Sequence, residues 1–322
     1  MLRSSARRRM LPVVALVTVA LSLTGCGSSA KKKDTDLASK PARDSGCGYK
    51  AGGISDAVKV TGDFGTNVTV SFPKTAKATT LQRTVITKGS GAAVAKGDVA
   101  DVGVTLYNGT TGKLINQLST KFTSGDAAIG KDLLATIDCT NFGSRVAAAF
   151  PAKDLLGDQA NTAAGVSPTD TLIAVADILD KYADPKPQEW TGAPKVTFNG
   201  SKSPKVTLPS GDPSSDLLLH VIKAGNGAKV RSGDSVTVNY KGITWGTNQV
   251  FDESYGKGKK PATFPTDQVV PGFGAALVGQ KVGTRLIVSI PPKYGYGTLG
   301  TNALAGKTLV FVIEIKSTKS AK

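Results

Sequence analysis

The sequence predicts an α+β protein in which an antiparallel sheet wrapped on one short helix occurs twice. Three observations lead there. SVTVNY, TRLIVSI and TLVFVIEI read as strands bounded by Gly, Asn and Asp. The clearest helical signal in the second half is the short PGFGAALVG (271–279), with a proline at a first turn, where its missing N–H would have had no partner. The third observation is self-similarity. TLQRTVITKGSGAAVAKGDVADVGVTLYNG (80–109) parallels DLLLHVIKAGNGAKVRSGDSVTVNYKG (216–242), and CTNFGSRVAAAFPAKDLLGD (139–158) parallels GQKVGTRLIVSIPPKYGYGT (279–298). Both blocks close on a strand after Thr-Leu, TLIAVADIL and TLVFVIEIK. A repeat of this size means two domains of one fold.

Taken in order, residues 1–25 read as an export signal: MLRSSARRRM carries four arginines, and LPVVALVTVALSLTG is an apolar run of about 15 residues, short for a membrane span. The run ends in Leu23-Thr24-Gly25-Cys26, which resembles a bacterial lipobox and makes Cys26 the expected lipidation site. Residues 26–55 read as a flexible tether, being Gly, Ser, Lys, Asp and Ala without periodicity. Residues 56–182 are the first domain with its lead-in strands, 183–213 a Pro/Lys/Gly/Ser-rich linker, and 214–322 the second domain. Cys47 and Cys139 remain after export, as a disulfide or as two free thiols; an oxidising compartment favours the disulfide.

The chain has 40 Lys+Arg against 24 Asp+Glu, a formal charge of +16. The lysines are scattered, and no Arg-rich helix or basic–aromatic alternation points to nucleic acid. An exported basic chain is drawn instead to anionic lipid heads and cell-wall polymers. No nucleophile elbow, P-loop, dinucleotide fingerprint or metalloprotease motif appears. The single histidine, His220, lies in a strand and reads as structural; neither a metal nor a cofactor is expected.

What the second block gathers is a set of rings and apolar groups at strand ends, turns and the helix start: Tyr240, Phe251, Val269, Val270, Phe273, Tyr296 and Phe311, with Asp252 among them. Such a set fits an apolar small-ligand pocket or an ordinary core equally well. VNYKG, VFDES, QVVPGFGAALVGQKVGTR, IPPKYGYG and TLVFVIEI, in this order, resemble the FKBP family of macrolide-binding peptidyl-prolyl isomerases over residues 216–317. The resemblance implies an antiparallel half-barrel around one short helix, with the pocket between. It implies catalytic pocket positions at Tyr240, Phe251, Asp252, Phe273, Tyr296 and Phe311. Substrate-binding positions are implied at Val269 and Val270, and at Leu304 in the apolar loop. Tyr294 is a supporting residue, and Ala262 stands where many relatives have an aromatic.

The implied substrates are X-Pro segments of exported polypeptides, with a macrolide as a possible pocket ligand. The implied setting is the extracytoplasmic face of the cell membrane, held by the lipid anchor. In the first block Tyr107 aligns with Tyr240, but Leu114-Ile115-Asn116 replaces the Phe-Asp pair. Leu133, Leu156 and Ala174 stand for Phe273, Tyr296 and Phe311, so this copy reads as degenerate. The competing reading is a non-catalytic peptide-binding chaperone or scaffold. A solute-binding lipoprotein would need two α/β lobes with helical periodicity, which the sequence lacks.

Overall fold

The computed structural model describes residues 47–320 except 75–76, 159–164, 201 and 257. The expected signal peptide, Cys26 and the tether up to residue 46 lie outside the described residues. A short helix α1 (Gly53–Asp56) precedes a hairpin of β1 (Lys59–Thr61) and β2 (Thr69–Ser71). Then come β3 (Gln82–Thr87), β4 (Val99–Asn108), β5 (Leu114–Thr123), α2 (Lys131–Leu134), β6 (Arg145–Pro151), α3 (Ala152–Leu156) and β7 (Thr171–Lys181). The stretch 183–213 carries β8 (Gln188–Glu189), β9 (Val196–Asn199) and β10 (Lys202–Val206). The second half holds β11 (Leu218–Lys223), β12 (Ser235–Thr244), β13 (Val250–Glu253), β14 (Ala262–Pro265), α4 (Pro271–Leu277), β15 (Arg285–Ile290) and β16 (Leu309–Lys319).

The first sheet runs β3-β6-β7-β4-β5, all antiparallel. The second runs β13-β12-β16-β15-β11-β8, with β14 also pairing β12. Corresponding strands therefore stand in one order in both sheets, β13 and β14 together taking the place of β5. The second sheet departs from the all-antiparallel expectation at its edge, where β8 pairs β11 in parallel. His220 of β11 meets Glu189 of β8 there, Nδ1 to Oε1 at 2.8 Å.

The same ion pair braces each sheet. Arg145 of β6 and Asp177 of β7 are directly opposed and bonded twice, at 2.6 and 2.8 Å. Arg285 of β15 and Glu314 of β16 repeat this at 3.0 and 2.9 Å. Opposite charges on facing strands fix the register of the two central strands.

Each sheet buries both faces. On β16 the period-2 rule sends Phe311, Ile313 and Ile315 toward α4, where they pack with Phe273, Ala276 and Leu277. Val310 and Val312 point the other way, onto Trp190 and Leu208 of the 183–213 region. So the stretch that composition marked as linker covers the back of the second sheet. The β1–β2 hairpin does the same for the first, packing Val58, Val68 and Val70 on Ala147, Ala149, Ile173 and Val175. Two apolar faces on one strand explain why TLVFVIEI reads as a continuous run rather than as clean alternation. Cys47 and Cys139 are joined in a disulfide with Cα atoms 5.9 Å apart.

Candidate functional site

The rings quoted from the second block come together. Phe311 sits centrally: its ring centre lies 4.9 Å from Phe273 of α4, 5.5 Å from Phe251 of β13 and 6.3 Å from Tyr240 of β12. Most of these contacts are edge-to-face, the arrangement that ring quadrupoles favour. Their approach needs space on the sheet, which Gly242 supplies. It is paired with Phe311, and a Cβ at this position would come within 2.6 Å of the Phe251 ring.

Between these rings opens a cavity of about 340 Å³, lined also by Asp252, Val269, Val270 and Tyr296. The Tyr240 hydroxyl donates to the Asp252 carboxylate, so the acid stands at the rim with a phenol behind it. Burial, and then the neighbouring Asp252, push the Tyr240 hydroxyl pKa well above the usual tyrosine value, so the phenol stays protonated and keeps donating. Val270 caps α4 at its N-terminus with φ −55° and ψ 139°, and its carbonyl accepts from Phe273 and Gly274. Its own amide donates to no group among the described residues. Tyr296 is 40% exposed at the mouth.

Other expected positions fall elsewhere. Leu304 packs against the core around the cup without lining the cavity. Tyr294 likewise packs on that core and faces a separate hollow beside Asp184 and Asp216. Ala262, opposite Val238 in β14, is not part of the wall. The ring that closes that side is Phe264, two residues on in the same strand, 5.9 Å from Tyr240 and 6.1 Å from Phe273. Sequence reasoning missed it. The signal was there in ATFP: in a strand, residues two apart share a face.

The first sheet shows a correction. Tyr107 does not take the place of Tyr240. Ala174 of β7 pairs Leu106, whereas Phe311 of β16 pairs Gly242. Counting back two residues from each, Val104 is the counterpart of Tyr240, and Tyr107 is the counterpart of Ile243. Tyr107 accordingly lies on the back face against Phe72, ring centres 5.6 Å apart. Matching Tyr-x-Gly to Tyr-x-Gly shifted the alignment by three residues, and an odd shift turns a side chain to the other face. On the helix side Phe150 and Leu172 pack with Leu106, Ile115, Leu133 and Leu156 around Ala174.

One loop joins the two halves at the site, within the single compact unit to which the described residues belong. Residues 295–300, between β15 and β16, reach β5 of the first sheet. Ser119 Oγ accepts the N–H groups of Thr298 and Leu299, both at 3.0 Å. Asn67 accepts from the Gly300 N–H at 2.9 Å and donates to its carbonyl at 3.2 Å. Leu299, 2% exposed, lies over Gly103 of β4, where a Cβ would come within 2.6 Å of it.

Residues 226–316 match the family model described as FKBP-type peptidyl-prolyl cis-trans isomerase. A probable FK506-binding protein of Corynebacterium glutamicum is 37% identical over 117 residues, 36% of this chain and 98% of that protein. The chain belongs to the FKBP-type peptidyl-prolyl cis-trans isomerases. Further FKBP relatives include the FK506-binding protein of Streptomyces anulatus, 34% identical over 119 residues, 35% of this chain and 95% of that one. FkpA of Escherichia coli K12 is 38% identical over 109 residues, 34% of this chain and 40% of that one. The crystal structure of Escherichia coli FkpA aligns with a TM-score of 0.32 at 35% identity, covering 35% of this chain and 52% of that one. Among the described residues no helix is long and apolar enough to cross a membrane, and no cluster of His, Cys, Asp and Glu could hold a metal.

Proposed function

We propose that the aromatic cup of the second domain is where X-Pro bonds of exported polypeptides are isomerised, at the outer face of the cell membrane. The observation that carries this is a cup of four phenylalanine rings with polar groups beside it: Tyr240 bonded to Asp252, Gln268, the unengaged Val270 amide, and Tyr296. Rotation about an X-Pro amide faces a barrier of about 20 kcal/mol because conjugation stiffens the C–N bond. Twisting the bond breaks conjugation and withdraws negative charge from the carbonyl. An apolar cup holds that less charge-separated amide better than the planar one. Proline seats among Phe251, Phe264, Phe273 and Phe311. The Val270 amide and the Tyr296 hydroxyl donate to carbonyls of the bound chain and orient it. No covalent bond is made and no cofactor enters; a macrolide occupying the cup blocks it.

On this reading the two halves are tandem FKBP-like domains, 56–182 and 214–322, each a half-barrel on a short helix. The shared strand order and the repeated Arg–acid pair support that. The first is degenerate, its cup closed by leucines. The N-terminal segment supplies the anchor, with residues 1–25 removed, Cys26 lipidated and residues 26–55 as the tether. The test is cis/trans exchange of a short X-Pro peptide, with residues 47–182 and 183–322 compared as separate pieces, so that each sheet keeps its cover and the first keeps its disulfide. Acceleration confined to the second piece and lost in Phe273→Ala and Tyr296→Ala supports the reading. No acceleration by either piece leaves a proline-peptide binder as the better account.

A further inference from the structure

A second cavity of about 400 Å³ opens beside the cup, walled on one side by Asp101 and Lys121 of the first sheet and on the other by Pro271, Lys293 and Tyr296 of the second half. Tyr296 lines both cavities, so they are neighbours across one ring. A chain leaving the cup over Tyr296 meets this cleft next.

The cleft has a fixed wall. The loop that carries Tyr296 is pinned to the first sheet by Ser119 and the buried Leu299, and to the β1–β2 hairpin by Asn67. Lys121 Nζ lies 3.5 Å from the centre of the Tyr182 ring, which steadies that side chain at the cleft edge. The lining charges are unequal, two ammonium groups against one carboxylate: burial pushes the Asp101 carboxyl up, Lys121 and Lys293 pull it down, and the exposed Asp180 opposite it on β7, outside the lining, pushes it up. The cleft therefore favours an acidic side chain on whatever enters.

We infer that this cleft is an extension of the substrate site, taking the residues of an extended polypeptide that flank the proline and preferring acidic ones. The inference rests on the reading of the cup as an X-Pro site. It gives the first domain, whose own cup is filled, a part in recognition. The short core of the substrate is held by the second domain alone, and the flank is read by both.

The experiment measures fluorescence anisotropy of two labelled peptides on the full chain. They share one X-Pro core; one is a tetrapeptide, the other extends it to about twelve residues with acidic flanks, long enough at about 3.3 Å per residue to pass well beyond the cup. The unaltered chain is expected to bind the long peptide about fivefold or more tighter than the short one, the range that complementary rim charges supply. Lys121→Glu with Lys293→Glu should remove most of that advantage. Both lysines are exposed, so the fold is not at risk. A long peptide with basic flanks should recover the advantage on the double variant. Equal affinity for both peptides, or an advantage that the double variant leaves intact, overturns the inference. Exchange rates of the tetrapeptide on the unaltered chain report separately on the isomerase reading, whose failure leaves the affinity comparison to decide the cleft.

Discussion

The Tyr240 hydroxyl points at the Asp252 carboxylate from a half-buried position, and the pair sets what the rim of the cup can donate and accept. Tyr240→Phe keeps the ring and removes the donor. Asp252 is exposed and can rehydrate, so kcat/KM for an X-Pro peptide should fall only about two- to tenfold, on the scale of about 1 kcal/mol for one hydrogen bond. The phenol's raised pKa also has a stability consequence. The folded state holds this proton more tightly than the unfolded chain. That contribution is complete below the ordinary tyrosine value near 10 and drains away as pH rises beyond it. Urea midpoints should therefore fall above pH ~10 in the unaltered chain, and less steeply in Tyr240→Phe. Arg145 and Asp177 are a sterner case, at 10% and 3% side-chain exposure. Arg145→Met strands a buried carboxylate and should cost about 3–5 kcal/mol by chemical denaturation. Much of this was legible from the residues: Tyr240, Phe251, Asp252, Phe273, Tyr296 and Phe311 line one cavity as a set. Phe264 and Tyr107 were not read correctly, because which face a strand residue takes depends on register, and register is set by the partner strand.

Among elements, the loop 295–306 carries the most consequence. It holds Tyr296 at one end and packs Leu299 on Gly103 of β4 at the other. Glycine at 103 leaves the room Leu299 fills. Gly103→Val keeps a strand-forming residue in β4 but expels Leu299. The expected outcome is faster hydrogen exchange at the 298–300 amides and a fall in kcat/KM of about tenfold, since displacement of a site wall by about 1 Å can cost more. No sequence motif announces this contact. Thr298, Leu299 and Ser119 are some 180 residues apart, and GTLGTNALAGK carries no periodicity to align. Strands and the short α4 were legible because apolar spacing and flanking Gly, Asn and Asp encode them locally. The covers on the sheet backs were not: the burial of Trp190 and Leu208 comes from tertiary packing of a stretch whose composition reads as linker.

Over the whole molecule, the disulfide closes a loop of 92 residues. Loop-closure entropy for that length is about 4–5 kcal/mol, of which reduction usually forfeits about 2–4 kcal/mol. Cys139→Ser, or reductant, should lower the thermal midpoint of the first sheet, while residues 183–322, which hold no cysteine, should melt at the same midpoint with and without reductant. The same bridge also redirects mechanical tension. A pull on residues before Cys47 passes through sulfur to Cys139 and enters the fold at the turn leading into β6. The strands β3, β4 and β5 lie inside the closed loop and carry none of that load. With the bridge intact the pull enters the first sheet through β6, an inner strand paired on both sides, and not through an edge; once it is reduced, the same pull reaches α1 and the β1–β2 hairpin first.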